Sequence, residues 1–296
     1  MLNIEITHLR TFCAVVDQMS FTRAGELVHR TQSTISAQIN ILEKAYGTTL
    51  LQRYPRHIVP TESGNLLYKY ARKILRLVDE SGESVNKLNK VVKGDLIIGA
   101  STIPGTYILP GVLKNFKACY PEVGITLKVS NSKTIINSIL DHTLELGAVG
   151  EKIDDKRLEY TVLANDRLVL IVPPQHPWLR KRTVSLNDLE QEEFISRESG
   201  SGTRDTLETA LKAKGIKHLN TVIELGSTEA VKQGVNEGLG VSFVSKWAIN
   251  NGQPIPVKVT GLDISRKFYL VYHKTAPRRY VVETFLNFKP RKGKKR

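Results

Sequence analysis

Residues 20–46 read SFTRAGELVHRTQSTISAQINILEKAY, and the order of their apolar and polar positions decides the first part of the fold. Ser20 can cap a short helix whose inward set is Phe21, Ala24, Leu27 and Val28. After a tight polar turn, Thr31 caps another helix in which Ile35, Ile39, Leu42 and Tyr46 lie along one stripe. That stripe leaves Ser33, Ala37, Asn40 and Lys44 on the opposite side and Ser36 on the flank. Thr31, Gln32 and Ser33 therefore open the second helix of a helix-turn-helix, the place where small hydrogen-bonding side chains meet base edges and phosphates. Gly47 is placed to stop the helix.

Outward from this pair, the pattern continues in both directions. Upstream, Thr7 is expected to cap a helix with Leu9, Phe12, Cys13, Val16 and Met19 on its core face. Downstream, LLQRYPRHIVPT (50–61) reads as two extended runs around Pro55, a small wing with Arg53, Arg56 and His57 near its tip. Gln32 can make a bidentate contact to adenine, and Ser33 and Ser36 can reach bases or phosphates. Arg53 and Arg56 suit phosphate or minor-groove contact, which positions without specifying sequence.

From Thr61 to about Val91 two seven-residue series, Leu67, Ile74, Ser81, Leu88 and Tyr70, Leu77, Ser84, Val91, predict a long helix that packs against a partner. About 30 residues would span roughly 45 Å. Past Gly94 the texture changes to strands alternating with helices, which favours a parallel sheet. DLIIGAS, a helix near 107–120, VGITLKVS, a helix near 134–142 and LGAVG form one series. RLVLIVP, EEFISRE, a helix near 203–214, TVIELGS, a helix near 228–237 and VSFVS form a second. FYLVYHK and a helix near 278–288 follow. Two similar α/β lobes result, with connections expected at Thr161–Asn165 and Thr260–Lys267.

The chain of 296 residues carries a formal charge of +14, and the excess sits at its ends. It amounts to +5 over residues 1–93, +3 over 94–288 and +6 in the last eight, KPRKGKKR. A basic N-terminal module suits a polyanion, and the tail, without apolar content, is expected to be disordered. Two cysteines, Cys13 and Cys119, suit a reduced, cytoplasmic setting, with Cys13 packed in the core. The N-terminal residues show no export signal, and no run reaches the ~18 apolar residues of a membrane span.

Catalysis finds little footing. SGSG near Ser201 lacks the full Gly-x-Ser-x-Gly pattern, there is no GxxxxGK[ST] loop, and the His and Cys spacings suit no zinc site. No catalytic residue, metal ligand or cofactor is expected. Three hydroxyl-rich junctions point to ligand binding instead. Ser101 and Thr102 follow the first strand of the α/β region, Ser132 and Thr134 follow the second, and RESGSGT leads through Thr203 into a helix of the other lobe. In open α/β sheets, ligands sit beyond the carboxyl ends of strands, where helix N-termini favour a small anion. Each hydroxyl could merely cap its helix, but their recurrence at equivalent places in both lobes favours a shared cleft.

The run LRTFCAVVDQMSFTRAGELVHRTQSTISAQINILEKAYGTTLLQR, followed by VPTESGNLLYKYARKIL, resembles the N-terminal domain and linker helix of LysR-type transcriptional regulators. The resemblance extends over nearly the whole chain. It implies an α/β fold made of a winged helix-turn-helix (1–60), a linker and dimerisation helix (61–92) and a two-lobed, periplasmic-binding-protein-like effector domain. Lobe I would comprise 93–162 and 267–288, lobe II 163–266, and 289–296 the basic tail. Implied partners are double-stranded DNA, a small effector, further copies of the chain in a dimer or tetramer, and RNA polymerase. The family's DNA-contacting positions map onto Thr31, Gln32, Ser33, Ser36 and Arg53, with Thr61 opening the linker helix. Ser101, Thr102 and Thr203 match positions that line the effector cleft, with Ser132 an addition.

ASTIPGTYILP and RESGSGTRDTLE resemble the subgroup containing regulators of sulfur assimilation and carbon fixation, which implies a sulfur oxyanion or small carboxylate as effector. Gly25 stands where a second alanine is usual, Ser33 replaces a frequent proline and Asn40 a frequent basic residue. The rival architectures are a solute-binding protein or α/β enzyme with an N-terminal oligomerisation module, and a protein that binds DNA by charge alone.

Overall fold

A computed structural model describes residues 4–54, 57–88, 91–181, 183–249 and 254–288. Contacts divide the chain into two units, one of residues 1–92 with 141–143 and 277–283, the other of the remaining residues.

The first unit opens with helices α1 (Ile6–Gln18), α2 (Phe21–Val28) and α3 (Gln32–Tyr46). A two-stranded antiparallel wing follows, β1 (Leu51–Arg53) on β2 (Ile58–Pro60), and then the 27-residue α4 (Glu62–Leu88). Phe12, Val15, Ala24, Ile35, Ile39 and Leu42 form a core with Leu50, Leu67 and Ala71. The expected caps hold at Ser20, whose Oγ accepts from Arg23 N, and at Thr31, whose Oγ1 accepts from Thr34 N. Thr61 Oγ1 likewise accepts from Gly64 N at the start of α4.

Four details differ from the sequence reading. Thr7 lies inside α1, whose cap is Glu5, two residues earlier than expected. Met19 is exposed because the backbone leaves the helix there, turning left-handed at φ 49°. Leu27 is exposed because two steps of three residues carry it about 120° round the helix from Phe21. Tyr46 sits in the last turn of α3, past the core, and is also exposed.

The long helix sorts its apolar residues onto two faces. Leu67, Ala71 and Leu75 are buried within the unit, whereas Leu66, Tyr70, Ile74, Leu77, Val78 and Val85 are exposed. The first expected series mixes these faces, since Leu67 is buried and Ile74 is not, whereas Tyr70 and Leu77 of the second are both exposed. The exposed stripe runs instead at steps of three and four from Leu66. Val91, exposed, lies beyond the end of α4.

The second unit holds β3 (Gly94–Ser101), α5 (Leu109–Cys119), β4 (Val123–Ser130), α6 (Ser132–Leu140) and β5 (Leu146–Val149) in its first lobe. Next come the 15-residue β6 (Leu158–Val172), β7 (Thr183–Val184), α7 (Leu186–Gln191), β8 (Glu193–Arg197) and α8 (Gly202–Lys212). The chain then forms β9 (Asn220–Leu225), α9 (Thr228–Asn236), β10 (Ser242–Ser245), β11 (Ile255–Val259), β12 (Ile264–His273) and α10 (Tyr280–Asn287). The alternation of β-rich and helical runs gives parallel pairing of β3 with β4 and β5, and of β8 with β9. Ile135, Ile136 and Ile139 of α6 bury one face of the first lobe, and Val231 and Val235 of α9 do so in the second.

The expected connections are not loops. Thr161–Asn165 lies inside β6, and only 260–263 of the second connection form a turn before β12 begins. β6 and β12 pair antiparallel from Ile264↔Leu168 to His273↔Leu158, with a bulge between Phe268 and Tyr269. The sheet is therefore mixed, because the two strands that tie the lobes together must run in opposite directions. β10 and β11 also pair antiparallel with β6. The strand at 255–259 escaped the sequence reading. The helix expected from Tyr107 begins earlier, with a π-helical turn at Pro104–Ile108. α6 starts at Ser132, so Thr134 falls in its first turn and Asn131 Oδ1 accepts from Thr134 N.

Candidate DNA interface and effector cleft

In the first unit, Thr31, Gln32 and Ser33 are exposed at the start of α3 and Ser36 is half-buried on its flank. Thr31 Oγ1 lies 2.9 Å from Ser33 Oγ and 2.8 Å from Thr34 Oγ1, a small hydroxyl cluster beside the exposed Gln32. Arg53, expected near a free wing tip, is held against the helix. Its Nη1 donates to Ser36 Oγ at 3.4 Å, its Nη2 to Asn40 Oδ1 at 3.3 Å, and the guanidinium lies 4.7 Å from the centre of the Phe21 ring. Two turns of α3, the wing and α2 thus share one basic, polar surface. Arg56 lies outside the described residues, as does the tail 289–296.

Gly25 has a local reason. A Cβ at this position would stand 2.6 Å from the carbonyl oxygen of Arg30. The Gly25 carbonyl in turn accepts from Arg30 N at 2.8 Å, closing the turn that aims α3. The usual alanine has no room here.

In the second unit, Ser101, Thr102, Ser132 and Thr203 come together. Arriving from β3, α6 and α8, they line one narrow cleft with Asn131, Ser201, Arg197, Glu198, Arg266 and Phe268. Its free volume is only about 30 Å³, room for one or two waters. Ser201 makes no side-chain cap on α8, so the first N–H groups of that helix keep their polarity toward the cleft. A larger hollow of about 840 Å³ lies between α8 and β9, walled by Leu207, Leu211, Ile216 and Phe243. Of the four hydroxyl residues only Thr203 reaches it, so size alone does not mark the effector site.

Charge enters the cleft through residues that the sequence reading passed over. The Arg266 Nε donates to Asp166 Oδ2 at 2.8 Å, while its Nη1 and Nη2 donate to the Gly202 carbonyl and Thr203 Oγ1 at 3.1 Å. Asp166 also accepts from Ser245 Oγ at 2.7 Å. Burial lowers the affinity of Arg266 for its proton, and Asp166 opposes that effect. Arg197 is bound by Glu198 and Thr228. Between the lobes, the Tyr107 hydroxyl of the π-turn donates to Glu229 of α9, which also accepts from Lys232 Nζ at 3.1 Å. Burial would raise the Glu229 carboxyl, yet the Tyr107 and Lys232 contacts outweigh it and hold the group below its ordinary range. Burial and the same contact push the Tyr107 phenol up.

A π-turn at Pro104–Ile108 and a strand bulge two residues beyond Arg266 interrupt the regular backbone near this cleft, and irregularities of this kind re-aim side chains. Among the described residues no group of three or more His, Cys, Asp or Glu is arranged for a metal, and no helix is long and apolar enough to cross a membrane.

The profile of the bacterial regulatory helix-turn-helix protein, lysR family, matches residues 6–65, and that of the LysR substrate binding domain matches residues 89–291. An uncharacterized HTH-type transcriptional regulator of Methanocaldococcus jannaschii is 37% identical over 290 residues, covering 96% of this chain and 98% of that protein. The HTH-type transcriptional regulator CysL of Bacillus subtilis is 32% identical over 238 residues, covering 80% and 79%. Among solved structures, the Synechocystis PCC6803 CcmR regulatory domain in complex with 2-PG is similar, at a TM-score of 0.61 and 27% identity. It covers 66% of this chain and 95% of that one.

Proposed function

The chain belongs to the LysR family of DNA-binding transcriptional regulators, and from that premise we propose how it reads DNA and what it answers to. Gln32 contacts a base edge in the major groove, with Thr31, Ser33 and Ser36 beside it on bases or phosphates. Arg53 steadies this surface and meets the backbone, with Arg56 as its companion. The effector is a small anion, a carboxylate or a sulfur oxyanion, held between the lobes by Ser101, Thr102, Ser132 and Thr203.

The observation that carries this reading is convergence. Four hydroxyl residues from three junctions, spread over a hundred positions of sequence, share one cleft. The CcmR regulatory domain, solved in complex with 2-PG, supports a small-molecule effector. An effector can change the output only if it binds one lobe arrangement more tightly than another, and the β6–β12 pair is the element between those lobes. The exposed stripe of α4 joins two copies of the chain, which work in the cytoplasm with RNA polymerase as the downstream partner.

The test is operator binding by Gln32→Ala. A lost bidentate base contact costs about 1–3 kcal/mol, so specific binding falls roughly 5- to 150-fold while competitor DNA binding stays level. Equal loss on both DNAs removes Gln32 as a base reader.

A further inference from the structure

One polar group in the cleft is filled by the chain itself. Arg197 closes β8 with its guanidinium almost entirely buried, its side chain 6% exposed. Nε donates to Glu198 Oε2 and Nη2 to Glu198 Oε1, both at 2.7 Å, while Nη1 donates to Thr228 Oγ1 at 2.7 Å. This parallel two-bond fork is the arrangement in which a guanidinium recognises a carboxylate of any origin.

The two arginines of the cleft differ in how firmly their partners are fixed. Arg266 is tied to Asp166, which is itself fully enclosed and bonded to Ser245. Glu198 has a side chain 35% exposed, and among the described contacts its carboxylate touches Arg197 alone. It stands before Gly200, whose φ of +81° turns the chain into α8. The free volume of about 30 Å³ leaves no place for even a two-carbon acid beside it.

We propose that Arg197 anchors the effector's carboxylate and that Glu198 is a placeholder, occupying the guanidinium until a small carboxylate from solution exchanges with it. This rests on the anion-effector reading and narrows it to carboxylates. The exchange keeps the charge of the fork constant. It also sets a threshold, because the effector competes with a tethered carboxylate at high local concentration. Released, Glu198 swings toward solvent, and the loop 198–201 at the start of α8 moves with it.

The experiment uses the full-length chain and a panel of acetate, glycolate, oxalate and malonate beside sulfite, sulfate and thiosulfate, read by calorimetry and thermal melting. Glu198→Gln is expected to bind the tightest carboxylate of the panel at least about tenfold more strongly than the parent. Glu198→Ala is expected to melt earlier and to be restored toward the parent by acetate, which fits the vacated fork; Arg197→Lys is expected to lose carboxylate binding at least about tenfold. If Glu198→Gln binds carboxylate equally or more weakly, or acetate fails to restore Glu198→Ala, the placeholder is overturned. A sulfur oxyanion that binds through Thr102 with no gain in Glu198→Gln overturns this inference alone. No anion binding in the parent and no gain in either variant overturns it together with the anion-effector reading.

Discussion

Asp166 on β6 and Arg266 on β12 stand directly opposite each other in the antiparallel pair that joins the two lobes, with Nε and Oδ2 2.8 Å apart and both side chains nearly withdrawn from solvent. A cross-strand pair of opposite charge usually contributes a few tenths of a kcal/mol to a sheet. Here burial makes the pair obligatory, since neither charge can be left alone. Arg266 passes the constraint on to Gly202 and Thr203, so the strands that connect the lobes also fix the first turn of α8.

Removing one partner strands the other charge. Asp166→Asn is expected to destabilise the second unit by about 3–5 kcal/mol, seen as an early transition in chemical denaturation. The double variant Asp166→Asn/Arg266→Met recovers a large part of that loss. If Asp166→Asn costs nothing, the pair is not what holds this junction.

Gly25→Ala tests the turn before α3. Helix propensity alone favours alanine by up to about 1 kcal/mol, but the added Cβ would meet the Arg30 carbonyl at 2.6 Å. Overpacking costs about 1–3 kcal/mol, so the expected outcome is lower thermal stability and weaker operator binding. A stabilised variant would show that the turn yields freely.

The Tyr107–Glu229 link gives the lobes a pH-dependent contact. Because the folded Glu229 carboxyl is held below its ordinary 4.5, its contribution is complete above that value and fades as pH falls through the depressed one. Tyr107→Phe is expected to weaken effector binding at pH 7 and to reduce this acid-side loss of melting temperature, the remainder being carried by Lys232. An unchanged acid limb in Tyr107→Phe assigns the loss to other groups.

Cys13 and Cys119 should separate cleanly in a thiol assay. Burial pushes the Cys13 thiol up to about 12, so at pH 8 it carries almost no thiolate, while Cys119 is exposed. Native protein is expected to react once per chain with an alkylating reagent, and a second time only after unfolding. Rapid double labelling would contradict the packed position of Cys13.

The exposed stripe of α4 is predicted to be the contact between copies. Tyr70→Glu together with Leu77→Glu places two charges on that stripe without touching Leu67, Ala71 or Leu75. The expected result is a lower oligomer in sedimentation with an unchanged melting transition of the first unit.

How far the sequence could be read depended on the range of the signal. Caps at Ser20 and Thr31, the apolar steps of α3 as far as Leu42 and the wing are local patterns, and they survive in the structure. The four hydroxyl residues were also legible as a set at strand–helix junctions: Ser101 closes β3, Thr102 follows it, Ser132 opens α6 and Thr203 lies in the first turn of α8. Asp166, Arg266 and Arg197 were not. Arg266 looked like part of a connection since Thr260–Lys267 is polar, and only the pairing of β12 with β6 reveals that it faces Asp166, 100 residues away. A pair of charged residues at the head of each of two β-rich runs, ANDRLVLIV and SRKFYLVY, was the available hint. Arg197 was hidden in RESGSGT, where the serines and threonine drew attention. The reason for Gly25 in place of the usual alanine lies in the Arg30 carbonyl packed against it, which no local pattern reveals.

The most direct measurement of the central claim is operator binding by the full-length chain, parent and Thr102→Val, with and without the tightest-binding small anion of the panel. The account predicts that the anion changes the footprint or bend angle of the parent complex, and that Thr102→Val binds the same operator with equal affinity but no longer responds. A response that persists undiminished in Thr102→Val would contradict it.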